Sequence, residues 1–145
     1  MEKYKTLISG STKGIGLVIK KLLEERGDMI TSFSRNDSDD INHIKMPIEE
    51  FDYKKLPHLN YDNLIFAHRY RGNNINEDFK ITVTSLLKIL DDCNNFLNNN
   101  ASIVILGSDA SKLVFFEANN NYHVTRSALT GVNKYYSVKL GKKGI

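Results

Sequence analysis

The sequence predicts an α/β fold, a doubly wound parallel sheet with helices on both of its faces. Three observations predict it. Apolar residues alternate along the chain between short unbroken runs, which mark strands buried on both faces, and runs at helical spacing. Glycines 10, 14 and 16 stand where the first strand-like run gives way to the first helical one. The length of 145 residues, with 41% hydrophobic and 26% charged, suits one domain (1–145) able to bury a core.

The elements follow in order. Thr6-Leu7-Ile8-Ser9 is the first strand. Ile15, Val18, Ile19, Leu22 and Leu23 then recur at helical spacing, and Gly27 closes that helix, as glycine does just past a helix end. Residues 29–33 are a second strand, 36–42 a polar, acidic loop, and 43–46 a short third strand. A brief helix over 49–55 precedes Pro57, and 63–67 is the fourth strand. A long helix is predicted over 77–97, with Phe79, Val83, Leu86, Leu87, Leu90 and Leu97 as apolar positions and Asn98-Asn99-Asn100 ending it. The fifth strand is 102–106, 109–121 is irregular, and a final helix covers 122–140. No repeat or linker interrupts this order.

Composition excludes several classes. The net charge of +3 is small and spread along the chain, so it marks no nucleic-acid surface. Lys139, Lys142 and Lys143 read as a solvated helix end with a favourable charge–dipole interaction rather than a partner site. Cys93 is the single cysteine, so no disulfide forms within the chain, and its place among apolar helical positions predicts a buried thiol. No apolar run approaches the ~20 residues of a membrane span. Met1-Glu2-Lys3-Tyr4-Lys5 lacks a signal-peptide layout, and a cytoplasmic protein is expected.

The turn Gly10-Ser11-Thr12-Lys13-Gly14-Ile15-Gly16 carries the first chemistry. Gly10 permits a tight turn that a Cβ would obstruct, and the later glycines let backbone N–H groups approach a pyrophosphate and the helix pack closely on its strand. The helix N-terminus offers unpaired donors and a favourable dipole to the anion. The expected fold is therefore of the Rossmann type. Lys13 precedes Gly14 instead of following it, so the Gly-Lys-Ser/Thr ending of an ATPase loop is missing and ATP hydrolysis is not expected. The second strand ends Ser34-Arg35, where an NAD site places an acid for the ribose 2′-hydroxyl. Arg35, with Lys13 on the same side, suits a 2′-phosphate, and NADP is expected over NAD, which stays possible. Asp37 follows the strand too late to take the acid's place.

From this point the chain resembles the short-chain dehydrogenase/reductase family. Gly10-x-x-x-Gly14-x-Gly16 matches the cofactor turn, Ser108 follows the strand Ile103-Val104-Ile105-Leu106-Gly107 as the family's serine does, and Tyr122-His123-Val124-Thr125-Arg126-Ser127-Ala128 resembles its Tyr-x-x-x-Lys-x-Ala helix. The resemblance implies an NADP-dependent oxidoreductase that moves hydride between cofactor and a small carbonyl or secondary alcohol. Tyr122 would be the acid/base, Ser108 would orient the substrate oxygen, and Arg126 would be the electrostatic helper. Arg126 replaces the family lysine, keeping the charge without a proton to give. Thr82 stands at the family's relay asparagine, Phe66-Ala67-His68-Arg69 replaces Asn-Asn-Ala-Gly, and Met46-Pro47-Ile48 replaces the acid near the adenine. The family continues past Gly144-Ile145, so a C-terminally truncated member is expected. The two long helices resemble those that join family subunits, implying a homodimer or homotetramer.

Further residues carry open readings. His68-Arg69-Tyr70-Arg71 is either an exposed loop or a contact to the cofactor or an anionic substrate. His123 is expected to be a surface neighbour of Tyr122, and Tyr135-Tyr136 to serve packing or an interface. His43 and His58 lack a second ligand at metal spacing, so no metal is expected. The alternative function is a catalytically weak or inactive nucleotide-binding protein with a regulatory or scaffold role, suggested by Arg126 and Thr82.

Overall fold

The computed structural model describes residues 3–145, so the part of the N-terminal reading that falls on Met1 and Glu2 lies outside the described residues. Five strands lie side by side: β1 (Lys5–Ser9), β2 (Met29–Ser34), β3 (His43–Lys45), β4 (Tyr61–Phe66) and β5 (Leu97–Ile105). All pairings are parallel and the order is β3-β2-β1-β4-β5. The chain thus winds outward from β1 through β2 and β3, then crosses to the other side of β1 for β4 and β5. The strand order reverses between β1 and β4, and their carboxyl ends flank the crevice where open α/β sheets bind ligands.

Successive strand residues face opposite sides. Leu7, Phe33, Leu64 and Phe66 join the larger core, which α3 (Ser85–Asp92) and α4 (Asn120–Gly141) cover with Leu86, Ile89, Leu90, Leu129, Val132 and Tyr136. Ile8, Ile30 and Ile65 form the smaller core beneath α1 (Gly14–Arg26), where Ile19 and Leu23 pack. The expected apolar stripe of α1 is only half used. Ile15, Val18 and Leu22 stand 69%, 57% and 60% exposed, because a helix on a flat sheet turns one stripe inward and these three lie outside it. Gly27 ends α1 at φ +95, its N–H returning to the Glu24 carbonyl.

The long helix over 77–97 is corrected by the structure. It starts earlier, as α2 (Ile75–Asp78) with Asn74 as its cap, passes through a π segment (Phe79–Thr84), and ends as α3 followed by a 3₁₀ turn (Cys93–Asn95). Leu97 and the three asparagines belong to β5 instead. Asn100 adopts φ +63 within an irregularity of the β4–β5 register, a conformation asparagine tolerates. Asn98 Nδ2 donates to the Asn60 carbonyl (3.0 Å) and to Asp62 Oδ1 (2.6 Å), stitching the start of β5 to β4. The predicted helix over 49–55 is two 3₁₀ turns (Ile48–Glu50 and Tyr53–Lys55), and a further 3₁₀ turn (Asp109–Ser111) interrupts the loop before α4. Cys93 is buried in the larger core. Tyr136 is buried and bonded to Asp91 (2.7 Å), whereas Tyr135 is exposed. Lys139 of the basic tail also pairs with Asp91 (2.7 Å). No helix among the described residues is long and apolar enough to cross a membrane.

Candidate active site

A cleft of about 580 Å³ opens at the carboxyl ends of the strands, within the size range of small-molecule sites. Gly10, Thr12, Lys13, Gly14 and Ile15 of the first turn line it, with Arg35 after β2, the segment Ala67–Gly72 after β4, Leu106 and Gly107 after β5, and Tyr122 and Arg126 from α4. Eight of the eleven residues expected at the site from the sequence therefore share one cavity. Ser11 is buried beside it, Gly16 faces the fold, and Ser108 stands just beyond Gly107.

The three glycines do three different things. Gly10 has φ +76, and a Cβ on it would come within 2.6 Å of the His68 backbone, so the turn can press against the exit of β4 only without a side chain. Gly16 lies against the Gly10 carbonyl, and a Cβ there would also meet Ala67 Cβ at 3.0 Å; this is where α1 seats on the sheet. Gly14 has φ +60 with open space around it, so its constraint is conformational and its side toward the cleft stays clear for an anion. No side chain caps the first turn of α1 and no acid lies in it, which leaves its N–H groups to a ligand.

At the β2 end, Lys13 and Arg35 are exposed and form no ion pair among the described residues. Asp37 is held by Lys45 (2.8 Å). His43 is bound by Ser32 Oγ (2.8 Å), and its other ring nitrogen faces the Asn36 carbonyl (3.0 Å), so it tethers the loop that follows β2. Among the described residues no group of three His, Cys, Asp or Glu side chains is close enough to hold a metal.

At the other end, α4 brings Tyr122 and Arg126 together one helical turn apart, with the Arg126 guanidinium 5.0 Å from the Tyr122 ring centre. The Arg69 guanidinium stands 4.3 Å from the same centre. Arg126 is only 4% exposed; one nitrogen reaches the Leu106 carbonyl at 3.4 Å, and Nε and Nη2 have no partner among the described residues. Burial pulls its pKa below the ordinary value, partly offset by Tyr122 and Asp78, although a guanidinium stays charged near neutrality. The Ser108 hydroxyl oxygen accepts from the Ala110 N–H (3.2 Å) and caps the 3₁₀ turn that follows. His123 turns to the loop before α4, where its Nε2 accepts from the Phe115 N–H (2.9 Å).

Sequence reasoning missed two features. His68 is clamped in the cleft floor between Ser9 Oγ on Nδ1 (3.1 Å) and the Ile81 carbonyl on Nε2 (3.1 Å). A carbonyl only accepts, so Nε2 carries the proton and Nδ1 accepts from Ser9. Burial first, then the Arg126 charge and more weakly Arg35, drive the His68 pKa down to about 4, against the opposing bond to Ile81. The second feature is a buried carboxylate. Asp78 accepts from Thr82 Oγ1 (2.7 Å) and from Asn121 Nδ2 (2.9 Å), joining the π segment to the start of α4. The four-residue spacing of Asp78 and Thr82 hinted at one half of that network, but nothing local pointed to Asn121.

A sequence profile of the family described as Enoyl-(Acyl carrier protein) reductase matches residues 67–145, more than half of the chain. The chain belongs to the short-chain dehydrogenase/reductase family. Solved structures agree on the fold of this family member. A short chain dehydrogenase family protein from Francisella tularensis subsp. tularensis SCHU S4 superposes with a TM-score of 0.80 at 20% identity, over 98% of this chain and 66% of that one. A dehydrogenase/reductase from Sinorhizobium meliloti 1021 gives 0.84 at 17% identity, over 100% and 69%. A 4-hydroxyisoleucine dehydrogenase complexed with NADH gives 0.79 at 18% identity, over 99% and 70%. This family member thus spans about two thirds of the length of the first of these proteins. No curated protein matches it.

Proposed function

We propose that the chain binds NADP(H) and reduces a carbonyl, or oxidises the corresponding secondary alcohol, at Tyr122. One observation carries the proposal: a single cleft joins the uncapped start of α1, the unpaired cations Lys13 and Arg35, and the Tyr122–Arg126 pair. The residues fit the cofactor. Gly10, Gly14 and Gly16 with the α1 N-terminus would hold its diphosphate, with Ser11, Thr12 and Ile15 completing the turn, and Arg35 and Lys13 would hold a 2′-phosphate, with Asp37 occupied by Lys45. Bound NADPH supplies the hydride. The chain supplies the proton: the Tyr122 hydroxyl donates to the carbonyl oxygen as the carbon accepts hydride, and the negative charge left on the phenolate is offset by Arg69 and Arg126, whose guanidiniums stand 4.3 and 5.0 Å from the ring centre. Ser108 would orient the substrate oxygen by turning its hydroxyl from the Ala110 N–H toward Tyr122. The outer face of α4, with Tyr135 and Val138 exposed at 62% and 75%, supports a homodimer or homotetramer built on the long helices.

Calorimetry with NADP⁺ and NAD⁺ tests the cofactor, and NADPH consumption with a carbonyl panel tests the chemistry. NADP⁺ binds at least about tenfold tighter in the wild type, and Arg35→Ala removes most of that preference. Tyr122→Phe abolishes turnover while NADPH still binds. Tighter NAD⁺ binding overturns the first assignment; undiminished turnover by Tyr122→Phe overturns the second. Cofactor binding without turnover on any carbonyl would leave the regulatory or scaffold role.

A further inference from the structure

The cleft is more cationic than a dinucleotide requires. Lys13, Arg35, Arg69, Arg71 and Arg126 line it together with no aspartate or glutamate. Lys13 and Arg35 stand by the glycine turn and the end of β2, where the cofactor's phosphates belong. Arg69 and Arg126 gather at the Tyr122 end, beyond the phosphates assigned to the cofactor, and Arg71 lines the same cleft. Their charges are not spent elsewhere: none of the three forms an ion pair among the described residues. Arg126 is buried with two nitrogens unpartnered, a costly state for a cation unless an opposite charge arrives nearby. Arg69 is exposed, so its donors are free to meet a ligand directly, and its guanidinium stacks on the ring of Tyr122, 4.3 Å from the ring centre.

Resting on the assignment of Tyr122 as proton donor, we propose that the substrate carries an anionic group, a carboxylate or a phosphate, which Arg69 binds directly and the buried charge of Arg126 holds at the Tyr122 end of the cleft. The planar fork of an arginine takes either oxyanion in two parallel hydrogen bonds. The substrate class is therefore a short oxo acid or an oxo phosphate rather than a neutral ketone. Arg69 is also a specificity residue: it selects by charge next to the atom that is reduced.

The test compares charged and neutral partners of matched shape: pyruvate with methyl pyruvate, acetoacetate with methyl acetoacetate, and dihydroxyacetone phosphate with dihydroxyacetone. Binding to the 145-residue chain is followed by NMR titration, with and without saturating NADP⁺. At least one anion binds about tenfold or more tighter than its neutral partner, and the preference persists with NADP⁺ present, because the diphosphate site is then filled. The preferred pair identifies carboxylate or phosphate as the source. Arg69→Met reduces the ratio to near one, and Arg69→Lys restores part of it by charge without the fork. Equal binding within every pair, or a ratio that survives Arg69→Met, overturns the inference. Failure of NADP⁺ itself to bind, with the Arg69-dependent preference intact, overturns the cofactor assignment and leaves the anion site standing.

Discussion

His68, which the sequence places in a basic stretch with two open readings, lines the cleft and takes a specific tethered role there. The clamp between Ser9 and the Ile81 carbonyl requires a neutral ring protonated on Nε2, while burial and Arg126 resist a second proton. The unfolded chain takes up that proton near pH 6.5, the folded chain only at about 4. Between those values the unfolded state binds more protons, so the contribution of His68 is fully present above pH 6.5 and is lost as the pH falls toward 4. The gap corresponds to about 3 kcal/mol. Urea unfolding at pH 7 and at pH 4.5 should show the wild type losing more stability than His68→Gln by about that amount; parallel losses would assign the acid sensitivity to another group. The glycine turn was legible beforehand because its requirement is local: φ +76 at Gly10 and φ +60 at Gly14 are written in the residue type. The role of His68 was not, because its acceptor lies on a helix thirteen residues away.

Among the elements, the strands and α1 were legible from periodicity, and the helix after β4 only roughly. Its apolar positions Val83, Leu86 and Leu90 are buried as a helical pattern requires. A π segment is invisible to such a pattern, since it adds a residue to one turn without changing composition. The Asp78 network makes that segment consequential. Thr82 and Asn121 both donate to a carboxylate that is 1% exposed, so α2, the π segment and α4 are fastened at one buried acceptor. Asp78→Asn would set an amide N–H₂ against one of these donors and is expected to cost about 2 kcal/mol, whereas Thr82→Val, removing one donor, costs about 1 kcal/mol. Chemical denaturation with an unchanged m value checks both. An Asp78→Asn protein as stable as the wild type would show that the carboxylate is dispensable. The Asn98–Asn100 run does not end a helix, for a related reason: asparagine's side-chain bonds and left-handed φ serve a strand irregularity as well as a helix end.

In the molecule as a whole, charges spread along the sequence converge in space. Lys13, Arg35, the Arg69–Arg71 segment and Arg126 come from four separate places in the chain, and a linear count of +3 conceals their meeting in one cleft. The walls of that cleft come from the ends of β1, β2, β4 and β5 and from α4, so it exists only when both halves of the sheet are joined across β1 and β4. A ligand seated there binds the folded state and has nothing comparable to bind in the unfolded one. NADPH at a hundred times its dissociation constant should then add about 2.7 kcal/mol, which for a chain of this length raises Tm by about 10 °C. Differential scanning fluorimetry at rising NADPH concentration reads this directly. The shift should grow logarithmically with concentration and weaken with salt, because the cleft carries cations that form no ion pair among the described residues. The ionic-strength dependence separates the two parts of the site. Arg35→Ala should flatten the salt response while keeping a smaller shift, since the backbone amides of the glycine turn remain; a Tm indifferent to NADPH at every concentration would remove the dinucleotide from this crevice.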